Sequence, residues 1–123
     1  MLGENELVAF VATTDLDRAG EFYGGVLGLP LIERNEFACV FDADGTSLRV
    51  TKAARVAPAP YTVLGWKVND IEAAIRELEE RGVEFARFEG MDQDEMGVWH
   101  APFGTRVAWF RDPDGNTLSV SQS

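Results

Sequence analysis

Apolar and polar positions follow two spacings along this chain, and the same succession of spacings is given twice. Residues 7–13, Leu-Val-Ala-Phe-Val-Ala-Thr, are a short run of strand formers between polar flanks, which predicts a buried strand. Leu16, Ala19, Phe22, Tyr23 and Val26 then recur at helical spacing, so a helix capped by Thr14 or Asp15 is expected to continue through about Leu27. Asp17 and Glu21 suit its positive N-terminal end, and Gly28 stops it. Strands are expected at 30–34, 37–41 and 46–51. Pro58 and Pro60 remove ladder donors and stiffen the chain, which marks 52–60 as a linker. The pattern then restarts. A strand is expected at 61–68, and a helix opened by Asn69 or Asp70 carries Ile71, Ala74, Ile75 and Leu78 as its buried stripe to about Arg81. Gly82 ends that helix, 83–88 reads as a strand, and a last hairpin covers about 105–121.

The two hairpins share their turn chemistry. In Phe41-Asp42-Ala43-Asp44-Gly45 and Arg111-Asp112-Pro113-Asp114-Gly115, each Asp and Gly of the first recurs 70 positions later. Aspartate bonds the backbone ahead of it and glycine accepts positive φ, so both stretches predict tight turns. Strand, helix, three strands, stated twice, implies a duplicated α+β fold within one domain, 1–123, with modules of about 6–52 and 60–122. The helix-opening Asp15 and Asp70 are 55 residues apart, so the step to 70 leaves about 15 extra residues in the second half, around 90–104. This glycine-flanked stretch, with Trp99, His100 and Phe103 inside it, reads either as a lid over a site or as a surface excursion whose aromatics fill the core.

Composition narrows the function. The 123 residues are 46% hydrophobic and carry a formal net charge of −10, which suits one packed core and opposes nucleic acid or an anionic membrane surface as partner. No apolar run reaches the roughly 18 residues of a membrane span, and the acidic N-terminus lacks a signal-peptide core. The single cysteine, Cys39, has no partner for an internal disulfide and cannot build a Cys-rich zinc site. A cytoplasmic location is expected.

Asp15-Leu16-Asp17-Arg18-Ala19, Phe22-Tyr23 and Leu27-Gly28-Leu29, closed by Asp112-Pro113-Asp114-Gly115-Asn116, resemble the vicinal oxygen chelate superfamily, which holds glyoxalase I, bleomycin-resistance proteins and extradiol dioxygenases. The resemblance covers essentially the whole chain. It implies two tandem βαβββ modules whose curled mixed sheets surround a cleft, and it implies a homodimer. In metal-dependent members a His or Gln lies seven residues before the helix-opening Asp, and a Glu follows the Gly-Asn turn. The matching positions here are Val8 and Val63, then Ser119 with Arg49 as its counterpart in the first module. Neighbouring registers, at Leu7, Ala9, Thr62, Leu64, Leu118 and Val120, supply no better donors. Divalent cations need imidazole, carboxylate or carbonyl groups, so no metal and no cofactor is expected.

Strand alternation places Val8 with Phe10, Val63 with Gly65, Arg49 with Ser47 and Thr51, and Ser119 with Thr117 and Ser121. The family resemblance, by its correspondence across each hairpin ten residues upstream, implies that Trp109 and Cys39 join them. The expected lining is apolar and aromatic, with one guanidinium and several hydroxyls, suited to a small organic anion or aromatic molecule held by Arg49. Trp99 and His100 join it if the long loop closes. His100, the only histidine, is the one side chain whose ordinary pKa suits proton transfer near neutrality. Cys39 shows no neighbour that would activate a thiolate. Each residue also has a plainer role: Phe10 and Trp109 as core, Arg49 as a surface arginine, His100 as an exposed loop residue. Three functions remain in view. The preferred one is a metal-free binder of a small ligand, as the resemblance to bleomycin-resistance proteins implies. The others are a glyoxalase-like lyase or dioxygenase, with atypical metal ligands or His100 as base, and a non-catalytic dimerisation module.

Overall fold

A computed structural model describes all residues, Met1–Ser123. The chain divides into two compact units, Met1–Ala57 and Pro58–Ser123, and each repeats the order strand, helix, three strands around a four-stranded mixed sheet.

In the first unit β1 (Val8–Thr13) leads to α1 (Leu16–Gly20), and β2 (Leu31–Arg34), β3 (Ala38–Ala43) and β4 (Thr46–Lys52) follow. Asp15 caps α1, its side chain accepting from the Arg18 N–H at 3.1 Å. The expected helix does continue to Val26, but from Glu21 it widens into a π-helical turn in which the Leu27 N–H reaches the Phe22 carbonyl at 2.9 Å. The sheet order is β1-β4-β3-β2, with β1 parallel to β4 and the other pairs antiparallel. Leu16, Ala19 and Tyr23 bury the helical face on Val11, Phe41, Leu48 and Val50. β2 is the outer strand, and all four of its residues are exposed.

In the second unit β5 (Leu64–Lys67) and α2 (Ile71–Glu80) precede β6 (Trp99–His100), β7 (Arg106–Arg111) and β8 (Thr117–Gln122), in sheet order β5-β8-β7-β6. Asp70 caps α2 through the Ala73 N–H at 3.1 Å, and Gln122 Oε1 accepts from the Ile71 N–H at 2.8 Å, tying the helix start to the end of β8. Ile71 and Ile75 are fully buried, as are Ala108, Phe110 and Leu118.

Two sequence expectations change here. The hairpin turns are alike in letters and unlike in shape. Asp44 and Gly45, at φ of 49° and 94°, make a two-residue turn of the kind that matches strand twist. The second hairpin needs the five residues 112–116, and buried Asp112 organises them by accepting from the Asp114 N–H (3.0 Å), the Asn116 N–H (2.9 Å) and Asn116 Nδ2 (2.8 Å). The strand expected at 83–88 is the other change. Only Phe85 and Ala86 meet β7, through the Phe85–Phe110 bridge and the Ala86 N–H bond to the Trp109 carbonyl at 2.7 Å. The Phe88 N–H is taken by the Gln93 side chain at 2.8 Å instead, so the chain leaves the sheet there. It returns as β6, where Trp99 pairs with Val107 and His100 with Arg106. The outer edge of β7 is thus shared by two segments with residues 87–98 between them.

Candidate functional site

Each sheet has a helix on one face, and the opposite faces carry most of the residues singled out from sequence. On the first sheet Phe10 lies beside Arg49, and Arg49 beside Val40, while Val8 is level with Ser47 and Ala12 with Thr51. Phe10 is 63% exposed, unusual for a phenylalanine inside a strand. Arg49 is half-buried and forms no ion pair, and Thr51 Oγ1 is buried without a hydrogen-bond partner.

Cys39 is not among them. It pairs with Val50 and Arg34, is fully buried, and its Sγ approaches the Leu16 carbonyl at 3.8 Å, on the helix side. The ten-residue correspondence fails in this hairpin because the two-residue turn sets Val40, nine positions back, across from Arg49. Burial also pushes the Cys39 thiol above its ordinary pKa, with Arg34 acting weakly against it, which is unfavourable for a nucleophile.

On the second sheet the longer turn keeps the ten-residue step, and Trp109 stands across from Ser119, which in turn stands beside Gly65. A β-carbon at Gly65 would come within 2.7 Å of Ser119 Oγ, so the glycine is what leaves room for that hydroxyl. Trp99, level with Val107, shares the Trp109 face, and the two indoles lie 6.2 Å apart. Phe88 meets Trp109 edge-on at 5.6 Å, and Trp109 Nε1 donates to Thr62 Oγ1 at 2.8 Å, fixing the ring. Val63, just ahead of β5, is exposed and donates its N–H to the Thr117 carbonyl at 2.9 Å. Phe88 and Arg111 escaped the sequence reading. Their signal was Arg111's parity with Trp109 along β7, whereas Phe88 depends on where the chain leaves the sheet.

The stretch 87–98 is internally bonded. Gln93 accepts from the Phe88 N–H and donates through Nε2 to the carbonyls of Ala86 (3.0 Å) and Gly97 (2.8 Å). Asp94 accepts from the N–H groups of Met96 (2.9 Å) and Val98 (3.0 Å) and lies 3.2 Å from His100 Nε2. Partial desolvation pushes the Asp94 carboxyl upward, but the bonds from Val98, His100 and Met96 outweigh it and hold the group below the usual aspartate value. His100 follows Trp99 on a strand, so its ring leaves β6 on the side away from the indoles and is exposed there. It therefore does not join Trp99 in lining the aromatic face. Phe103, at φ 72°, is fully exposed and fills no core.

Val8, Arg49, Val63 and Ser119 occupy the positions to which the family resemblance assigns metal ligands. Isopropyl groups offer no lone pair, a guanidinium has no acceptor, and one hydroxyl is a poor substitute for a carboxylate. Neither unit gathers three or more His, Cys, Asp or Glu side chains at one place. These side chains do not fit a divalent cation. No helix is long and apolar enough to cross a membrane.

Comparison with known proteins agrees with this architecture. A protein from Bacillus anthracis assigned to the glyoxalase family superposes with a TM-score of 0.77 at 20% identity, over 97% of this chain and 94% of that one. A Glyoxalase/bleomycin resistance protein/dioxygenase superfamily member from Sphaerobacter thermophilus gives 0.74 at 25% identity, with 97% of each chain covered. Lactoylglutathione lyase from Agrobacterium tumefaciens gives 0.74 at 16% identity, over 97% and 93%. No protein of curated function matches in sequence. The profile of one family matches residues 6–120. With that match spanning nearly the whole length, and with both βαβββ modules in place, the chain belongs to the Glyoxalase/Bleomycin resistance protein/Dioxygenase superfamily.

Proposed function

We propose that this protein binds a small organic ligand, anionic or aromatic, without a metal ion, in the manner of bleomycin-resistance proteins. The observation that carries the reading is the Trp99–Trp109 pair on the helix-free face of the second sheet, with the Ser119 hydroxyl in register beside Trp109. Flat apolar surface with a few fixed polar groups is what a small-molecule site requires. On the first sheet, Arg49 between Phe10 and Val40 offers a guanidinium with no carboxylate of its own, suited to a ligand carboxylate or phosphate.

The donor chemistry at Val8, Val63, Arg49 and Ser119 supports the metal-free part of the reading. A lyase or dioxygenase reading draws on the Asp94–His100 pair, where a carboxylate orients an imidazole as a general base needs. The side of β6 from which His100 projects weighs against it, since a ligand on the indoles would not meet that ring. We further propose that two chains associate, as the family resemblance implies. Leu31 and Ile32, exposed on the outer strand β2, support this, and a monomer in sedimentation at tens of micromolar would overturn it.

Tryptophan fluorescence during a screen of organic acids and aromatic compounds tests the binder reading, with elemental analysis of the same preparation. Saturable quenching is expected, and Arg49→Ala should weaken an anionic ligand by about 1.5–3 kcal/mol, the worth of a charge-assisted hydrogen bond. Stoichiometric transition metal, or a screen in which no compound perturbs the indoles, would overturn it.

A further inference from the structure

The linker and the second hairpin enclose a pocket beside the aromatic face, with Phe88 common to both. Its volume is about 330 Å³, and its walls are Pro58, Ala59, Pro60, Phe88, Arg111, Gly115 and Thr117, near the lower end of about 300–1,000 Å³ for small-molecule sites. The walls are fastened together. Gly115 adopts φ 87°, and a β-carbon there would lie 3.1 Å from Pro58 Cγ, so only glycine lets the proline close on the turn. Thr117 Oγ1 donates to the Ala59 carbonyl at 3.3 Å. The prolines are therefore held against β7 and β8 as rigid apolar rings.

The polar group of this pocket is Arg111. Its guanidinium carbon stands over the Phe88 ring, 5.7 Å from the centroid. That contact orients the cation while engaging none of its five N–H donors in a hydrogen bond. No carboxylate pairs with it, in a chain whose net charge is −10. With acids so abundant, an arginine left unpaired beside a pocket is complementary to an anion from outside. Thr117 Oγ1 has given its proton to Ala59 and only accepts, so it does not compete for the anionic end.

We propose that this pocket binds a small aromatic carboxylate. The carboxylate takes the N–H fork of Arg111 in two parallel bonds, and the ring lies among Phe88 and the pyrrolidines of Pro58 and Pro60. The site borders the aromatic face through Phe88, which meets Trp109 at 5.6 Å, but it uses neither the indoles nor Arg49 to hold the carboxylate, so changes centred on Arg111 test it separately from the reading above.

The test is an NMR titration of the full chain with benzoate, and separately with inorganic phosphate. Saturable benzoate shifts at Arg111 Nε–H and at the Phe88 and Gly115 amides are expected. Arg111→Gln should weaken benzoate about tenfold or more, and Arg76→Gln, on the exposed face of α2, should leave it unchanged. Arg111→Lys, which keeps the charge and loses the fork, should fall between Arg111→Gln and the unaltered chain. Shifts elsewhere only, unchanged affinity in Arg111→Gln, or phosphate binding at these residues as tightly as benzoate would overturn the proposal. If Arg111→Gln does not fold, the shift map of the unaltered protein and the Arg111→Lys titration decide it.

Discussion

Gln93 is a half-buried side chain whose amide closes the 87–98 excursion with three hydrogen bonds of 2.8–3.0 Å, to the Phe88 N–H and to the carbonyls of Ala86 and Gly97. Gln93→Ala removes all three and supplies nothing in return. At a net worth of about 0.5–1.5 kcal/mol per bond, the loss should be about 1.5–4.5 kcal/mol of folding stability. Gln93→Glu is the sharper variant. It keeps an acceptor for Phe88 but turns a carboxylate oxygen, without protons, toward two carbonyls. At neutral pH it should cost at least as much as alanine, and acid should relieve it, because a protonated carboxyl regains a donor. Equilibrium urea unfolding followed by circular dichroism gives the energies, and hydrogen exchange at the Phe88 amide reports the excursion itself. Suppose Gln93→Ala loses less than about 0.5 kcal/mol, the range of an ordinary surface change, and Phe88 stays protected. The bonds would then not be what holds Phe88 and Trp99 on the aromatic face.

Three further outcomes are expected. Asp112→Ala, which strips three bonds from a buried turn, should cost about 1.5–4.5 kcal/mol, against about 0.5–1.5 kcal/mol for Asp42→Ala, whose carboxylate accepts only from the Gly45 N–H; equal losses in urea would refute the contrast between the turns. The Cys39 thiol should resist a water-soluble thiol reagent in the folded protein and react fully in denaturant, and rapid stoichiometric labelling of the native chain would contradict its burial. Asp94, held below the ordinary aspartate pKa, stabilises the folded state above the unfolded-state value of about 3.9 and loses that effect as pH falls through its folded value. The stability gap between the unaltered chain and Asp94→Asn should therefore shrink below about pH 4, and a gap constant through that range would show that the carboxylate charge is not used.

Much of the architecture was readable because it rests on local signals that all point one way. Asp15 and Asp70 open their helices as caps, and Ile71 and Ile75 bury the face their spacing marks. Alternation likewise put Val8, Phe10 and Arg49 on one face, and Trp109 with Ser119 on another. What was not readable depended on counts that letters do not carry. A two-residue turn in place of five makes the step across from Arg49 nine residues and not ten, and that one position moves Cys39 from the open face to the core, since side chains on a strand change sides at every step. The break after Ala86 was hidden for a different reason. Nothing in Val83-Glu84-Phe85-Ala86-Arg87-Phe88 disfavours a strand, and the competing partner for Phe88, the Gln93 amide, is five residues further on.

Because the chain departs from the outer edge of β7 at Ala86 and rejoins that same strand at Trp99, the intervening residues are mounted on a single support at both ends. Their length and composition can be rewritten without altering which strand neighbours which. An edge occupied by two short segments also gives a foreign strand no uninterrupted row of backbone groups to pair with. One interruption thus offers diversification at the tip and protection from fibril-like stacking at the base.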